Sequence, residues 1–525
     1  MTAGVATERV IIVGAGLAAL YAALELAPRP VLVISPETLG EGASSAWAQG
    51  GVAAAMAPDD SPAAHAEDTV RAGAGMVDAA VAGHVTDEAR AHIMALAALG
   101  TPFDRDGAGQ FLLNREAAHR TARVVRVQGD QAGRRIMQTL IASVRAAPSV
   151  QVLEGVQAVA LELTDGAVTG VQVEAAAGPP TRAVTLRGAA TVLAGGGSCG
   201  LYALTTNPPR IRGQIVGMAA RAGALIADAE FVQFHPTALD TGEDPAPLAT
   251  EALRGEGAWL IDRQGKRFMA GLHPDMELAP RDVVARAIFA QTQAGNRPML
   301  DLRRAPGAAL RTQFPAVTEA CARAGIDPTV QPVPVAAAAH YHMGGIATLE
   351  DGRASLGRLW VCGEVGSTGL HGANRLASNG LLEALVYARR CAESIAAVLG
   401  PPPAGACPPV SVAFTPGGQR PDPQAVAVLR RTMTERVGVV RNAEGLRAAL
   451  RVIAGLEAAH PPCAAFANMT ATATLIAAAA FARRESRGAH YRDDCPQSLP
   501  GPGQRSRMTL PEALALRDAA LKEPA

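Results

Sequence analysis

Arg9-Val10-Ile11-Ile12-Val13-Gly14-Ala15-Gly16-Leu17-Ala18-Ala19 is the stretch whose reading decides the fold. Its first part is a short, continuous apolar run rich in β-branched residues, which reads as a strand buried on both faces. Leu17 to Ala27 follow with helical spacing, Pro28 and Pro30 end that helix, and Val31-Leu32-Val33-Ile34 supplies a second strand. One βαβ unit therefore stands near the N-terminus, with Gly14-x-Gly16-x-x-Ala19 at its first turn. Gly14 permits the tight turn, Gly16 lets the backbone approach a pyrophosphate, and Ala19 is small enough for helix to pack on strand. Ala15, Leu17 and Ala18 lie at the helix N-terminus, where free N–H groups and the helix dipole favour an anion. A glycine-rich turn without a ligand is the bland alternative; the position between strand and helix weighs against it. Ser35 ends the second strand where a ribose-binding Asp or Glu is usual, and Glu37 is close by but off register. The fingerprint does not choose between NAD and FAD.

Working outward, a strand-rich stretch from Gln151 to Leu193 has a period closer to two than to 3.6 and ends in Ala194-Gly195-Gly196-Gly197. A mixed segment with Pro-rich boundaries follows, and Rossmann-like sequence returns at Leu359-Trp360-Val361-Cys362-Gly363-Glu364. Gly400-Pro401-Pro402-Pro403 breaks the pattern, and from about Gln424 to Glu485 nearly everything is helix-forming. The chain of 525 residues is too long for one core. The expected architecture is α/β: a Rossmann-type domain in two parts, residues 1–230 and 343–400, and an inserted α+β capping domain at 231–342. A linker at 401–415 and a C-terminal helical bundle with a partly ordered tail at 416–525 complete it.

Composition excludes several classes. Apolar residues make up 49% and charged residues 18%, and 48 basic residues balance 48 acidic ones, so neither disorder, nucleic acid nor an anionic membrane surface is indicated. Cys199, Cys321, Cys362, Cys391, Cys407, Cys463 and Cys495 form no CxxC pair, which favours free thiols over disulfides or an iron–sulfur site. The run Val10 to Val13 is too short for a signal peptide, and Ala471 to Ala482 is shorter than the ~20 residues that span a bilayer. A soluble, cytoplasmic protein without membrane contact is expected.

Other segments favour FAD. Ser44-Ser45-Ala46-Trp47-Ala48-Gln49-Gly50-Gly51 is a small, polar, Gly-ended loop of the kind that brings backbone N–H groups against a flavin ring. Glu364 can accept from ribose hydroxyls. Ser378-Asn379-Gly380-Leu381 opens a helix whose N-terminus can stabilise the negative charge of a reduced flavin.

Phe234-His235-Pro236-Thr237, Thr250-Glu251-Ala252-Leu253-Arg254-Gly255, Pro280-Arg281-Asp282, His340-Tyr341-His342-Met343-Gly344-Gly345 and His371-Gly372-Ala373-Asn374-Arg375 complete the set. With Ala48-Gln49-Gly50-Gly51, and in this order, they resemble the succinate dehydrogenase/fumarate reductase flavoprotein family from about residue 8 to 390. Arg115-Glu116-Ala117-Ala118-His119 and Ser367 to Arg375 are most similar to the branch that oxidises L-aspartate. The resemblance implies oxidation of L-aspartate to iminoaspartate, the first step of de novo NAD biosynthesis, with oxygen or fumarate as electron acceptor. It implies a small dicarboxylate, L-aspartate or fumarate, as ligand, and quinolinate synthase as a partner for the product. Ser44 stands where membrane-complex dehydrogenases carry a His bonded to the flavin, so non-covalent FAD is implied.

Within that resemblance Arg375 with His340 holds one carboxylate and His235 with Thr250 the other, as a guanidinium grips a carboxylate in a fork. Arg281 takes the family's proton-transfer place, with Glu251 and Arg254 as its relay, and Glu116 receives the substrate ammonium. Alternatives stand beside these roles: Glu116 as surface charge, His119 as a loop residue, and His340, His342 and His371 as a metal site. The last lacks an acidic or thiolate ligand at suitable spacing, so no metal is expected. The alternative function is the flavoprotein subunit of a fumarate reductase or succinate dehydrogenase. Departures from the family pattern are Gln214 and Ile215 for Asp-Gly, Gly195 for Thr, and Ala117-Ala118 for two glycines.

Overall fold

The computed structural model describes residues 4–522 apart from residues 306, 404, 406, 461 and 462. The N-terminal unit is β1 (Val10–Val13), α1 (Leu17–Glu25) and β2 (Val31–Ser35), its strands wholly buried. Helix α2 (Ala132–Ala146) leads to β3 (Val150–Glu154), an antiparallel meander, and β4 (Ala190–Leu193). Helix α3 (Gln214–Arg221) precedes β5 (Val232–Leu239), α4 (Arg281–Gln293), α5 (Pro315–Arg323) and β6 (Val333–His342). The chain then returns through β7 (Leu359–Val361) and α6 (Asn379–Leu399).

Five parallel strands form the central sheet in the order β7-β4-β1-β2-β3. Their register sets Val13 beside Ile34 and Leu193, and Leu193 beside Val361, so all these strands end at one edge. Open parallel sheets bind ligands outside that carboxyl edge. The apolar continuity of β1 and β2 reflects cover on both faces: Ile11 and Leu32 enter one core cluster, Val10 and Ile12 the other. β5 and β6 pair antiparallel in a second sheet with Met299–Asp301 and Trp259–Ile261, and α4 packs against both. That sheet lies between β4 and β7 in the chain and carries the His235 and His340-x-His342 motifs.

Helices α7 (Pro423–Arg436), α8 (Ala443–Ala459) and α9 (Ala464–Ala482) follow. By length and composition α9 could cross a membrane, yet 78% of its apolar window is buried, against α3, α8 and the last helix. Within the stretch expected as a linker, Val410 exchanges backbone hydrogen bonds with the Gln151 side chain. One expectation changes. The partly ordered tail is instead α10 (Leu510–Lys522). Pro511 fits the first helical turn, and Glu512 accepts from both the backbone N–H and the hydroxyl of Thr509, which fastens the start of the helix.

Candidate active site

A cleft of about 800 Å³ opens at the carboxyl edge of the central sheet. Its walls include Gly14, Ala15, Gly16, Leu17, Ala18, Ser35, Ser44, Ser45, Ala48, Gln49, Glu364, Gly380 and Leu381 from the expected cofactor set. The backbone there is shaped for close approach. Gly14 has φ +120°, and a Cβ on it would lie 2.3 Å from the carbonyl oxygen of Ala194. A Cβ on Gly197 would lie 2.1 Å from Glu364 Oε1. Leu17 N–H donates to Ser45 Oγ at 3.2 Å, which fastens the 44–51 loop to the start of α1. The Oγ of Ser44 and Oε1 of Gln49 are buried without a protein partner. Buried polar atoms of this kind need a partner, so the cleft suits a large polar ligand such as FAD. Burial pushes the Glu364 carboxyl up to about 7.

Gly50 and Gly51 line a smaller neighbouring space of about 10 Å³, shared with Glu116, Thr250 and Asp130. Ser378 caps α6 in the left-handed region, φ 63°, and its hydroxyl donates to Glu116 Oε2 at 2.9 Å. The other Glu116 oxygen lies 2.8 Å from where a Cβ on Gly50 would be, so this carboxylate sits directly on the flavin loop. Burial first, and then the charge of Glu251, raise the Glu116 carboxyl to about 7. Glu116 is therefore no solvated surface charge: it is 4% exposed.

His340 and Arg375 face the large cleft, whereas His235, Glu251 and Arg281 are buried behind it and line neither space. The His235 and His340 rings meet edge to face at 5.0 Å. Thr237 N–H donates to His235 Nδ1 at 3.2 Å, leaving the ring proton on Nε2. Burial, with neighbouring guanidiniums, holds both imidazoles well below their usual range, so they are neutral donors or acceptors. Arg281 Nε donates to Glu251 Oε2 at 2.5 Å, and Arg254 approaches the same oxygen at 3.8 Å. Burial works against ionisation of Glu251, but Arg281 and Arg254 hold its carboxyl below the usual range. Burial lowers Arg375 to about 10.

Sequence reasoning missed Gln233. Its Oε1 accepts from Arg281 at 3.0 Å and its Nε2 donates to the Arg375 carbonyl at 2.9 Å, which spaces the two arginines. Two residues before His235 on the same strand, it shares that residue's face, and strand alternation was the available signal. Thr206 and Asn207, which hold His340 at 2.8 Å through its Nδ1 and carbonyl, carried no local signal. His119 bonds the Ala377 carbonyl at 3.0 Å and steadies the Glu116 loop.

Comparison with known proteins agrees with this geometry. Residues 9–381 match a family described as FAD binding domain, and residues 427–518 match one described as fumarate reductase flavoprotein C-term. The chain is 51% identical to the L-aspartate oxidase of Caulobacter vibrioides, covering 96% of each chain. It is 44% identical to that of Xylella fastidiosa, over 98% of this chain and 97% of the relative. Among solved structures it resembles Escherichia coli quinol fumarate reductase, with a TM-score of 0.83 at 27% identity over 95% of this chain and 93% of that one. Mycobacterium smegmatis Sdh1 aligns with a TM-score of 0.77 at 27% identity, over 97% and 94% of the two chains. Fold and site thus define an FAD-binding flavoenzyme of the fumarate reductase class. Within that class the chain belongs to the L-aspartate oxidase family.

Proposed function

We propose that this protein oxidises L-aspartate to iminoaspartate, the entry step of de novo NAD biosynthesis, with oxygen or fumarate as electron acceptor. The carrying observation is a buried carboxylate, Glu116, seated on the flavin loop beside a set of dicarboxylate anchors. Arg375 with His340 grips one substrate carboxylate, and His235 with Thr250 the other. These four groups read only carboxylates, so they do not separate aspartate from succinate. Glu116 supplies the missing acceptor for the ammonium. FAD, when bound, supplies the hydride acceptor. Residues 14–18, 35, 44, 45, 48–51, 364, 378, 380 and 381 would hold it, and the N-terminus of α6 would favour its reduced, anionic form. Arg281 carries the proton that the dicarboxylate reaction requires, with Glu251 and Arg254 tuning it. The division into residues 1–230 and 343–400, a cap at 231–342, a linker at 401–415 and a C-terminal unit at 416–525 belongs to this reading. So do a cytoplasmic location and quinolinate synthase as consumer of the product.

Steady-state assays with L-aspartate, succinate and fumarate test the proposal. One charge-assisted hydrogen bond is worth ~1.5–3 kcal/mol, so Glu116→Gln should raise the KM for L-aspartate roughly 10- to 150-fold. Fumarate reduction by the same variant should persist or improve, since a negative charge next to a dianion is gone. Equal loss of both activities would make Glu116 structural.

The fumarate reductase likeness favours a second reading, a respiratory flavoprotein subunit. Ser44 separates the two, because a serine does not form the covalent flavin link. Acid precipitation of the holoprotein should leave all yellow colour in the supernatant; flavin retained on the denatured chain counts against the first reading.

A further inference from the structure

The Arg375 guanidinium is held by its face. Its central carbon lies 4.3 Å from the centroid of the Tyr341 ring, its Nε is buried without a hydrogen-bond partner, and among the described residues no carboxylate pairs with it. The far edge of the same ring is tied to an anion. The Tyr341 hydroxyl donates to Glu383 Oε2 at 3.1 Å, His371 Nε2 lies 2.9 Å from that oxygen, and Thr368 donates to Oε1 at 2.5 Å. Glu383 is 1% exposed and sits in the first turns of α6. At the mouth of that helix Gly380 leaves room for the stack. A Cβ there would lie 2.9 Å from Tyr341 Cε2 and 3.3 Å from an Arg375 nitrogen.

An arginine that must grip a carboxylate ligand faces a conflict in a buried site. Left alone it is costly to desolvate, and a carboxylate in direct contact would occupy the donors that the ligand needs. A ring between cation and anion resolves this. The π face stabilises the guanidinium, and a hydroxyl donated to a carboxylate makes that face more electron-rich, while the nitrogen donors stay free.

We propose that Glu383, acting through Tyr341 and steadied by His371, is a positioning residue that holds Arg375 charged and unpaired for a substrate carboxylate. This rests on the reading of Arg375 as a dicarboxylate anchor. The test uses holoenzyme carrying Tyr341→Phe, Tyr341→Leu or Glu383→Gln. Succinate binding is read from the perturbation of the flavin absorption band, and turnover from L-aspartate kinetics. Tyr341→Phe and Glu383→Gln should weaken succinate roughly three- to ten-fold, the scale of a partly lost cation–π contact, and Tyr341→Leu should weaken it further. The KM for L-aspartate should rise in parallel, while kcat falls by less than the KM rises. A succinate affinity unchanged in Tyr341→Phe overturns the proposal, as does a kcat that falls as much as the KM rises. Tyr341→Phe removes a single hydroxyl and decides the matter alone where Glu383→Gln does not fold. Wild-type enzyme that binds succinate but leaves L-aspartate unoxidised counts against the proposed function and leaves the positioning test standing. Arg375→Met with unaltered succinate affinity counts against the anchor itself.

Discussion

Gly195 and Ile215 exchange volume across the cofactor cleft. The related flavoproteins resembled here carry a Thr and a Gly at these places, so each departure looks disruptive when read alone. In space they compensate: a Cβ on Gly195 would lie 2.4 Å from Ile215 Cγ1. Gly195→Thr should therefore lower flavin content and melting temperature, since overpacking a tight contact costs ~1–3 kcal/mol, and Ile215→Gly should restore both in the double variant. Additive losses in the double variant would show that the two residues are uncoupled. Glu116 offers a second test at this scale. Its carboxyl is raised to about 7, so the folded protein binds that proton more tightly than the unfolded chain. Its contribution to stability is present at low pH and is lost as pH rises from the usual carboxyl range through about 7. Binding of an ammonium needs the ionised form, so the KM for L-aspartate should fall as pH rises through about 7, and Glu116→Gln should flatten that limb. The motif around Glu116 was legible in the chain; its burial was not, because burial depends on Gly50 and Ser378 packing over it.

Helix α5 shows the same dependence among elements. Its N-terminus has no side-chain cap of its own. Asp130, from the loop before α2, accepts from Ala316 N–H at 3.2 Å and Val317 N–H at 3.3 Å, and so caps a helix of the inserted segment from the Rossmann side. Asp104 shapes that loop by accepting from Gln128 and Gly129 at 2.9 and 3.2 Å. A Cβ on Gly129 would lie 2.7 Å from the Gln313 carbonyl oxygen, so the approach is close. Removing a cap costs ~0.5–2 kcal/mol, and Asp130→Ala should lower the melting temperature accordingly and speed proteolysis near residues 310–323. Unaltered proteolysis there would mean that the segment is fastened elsewhere. The first βαβ unit and the C-terminal helices were read from periodicity and from Pro and Gly punctuation, whereas the helices Pro62–Ala72, Ala79–Ala98 and Ala132–Ala146 were not. A cap supplied across the fold leaves no local signature in the chain.

Over the whole molecule, the C-terminal stretch closes the structure. Arg505 Nε pairs with Asp228 at 2.7 Å, Met508 pairs with Ile226 on a short sheet, and α10 packs on α8 and α9. Asp228 is 4% exposed, and burial raises its carboxyl above the usual range. Breaking a buried pair by removing one partner costs ~3–5 kcal/mol, so truncation after Gln504 should lower the melting temperature sharply and flavin retention with it. A truncated protein as stable and as yellow as the full chain would reduce this stretch to an appendage. By itself the sequence determined the βαβ unit, the glycine turn, the return to the Rossmann sheet after an insertion, and the helical C-terminal unit. Each rests on contacts between near neighbours in the chain, which write themselves as periodicity and spacing. Only the tertiary structure decided that Glu116 sits on Gly50, that Gln233 spaces Arg281 from Arg375, and that the Pro-rich end is a docked helix. Those juxtapositions join residues far apart along the chain, and packing between distant segments obeys volume, burial and charge, none of which has a local period.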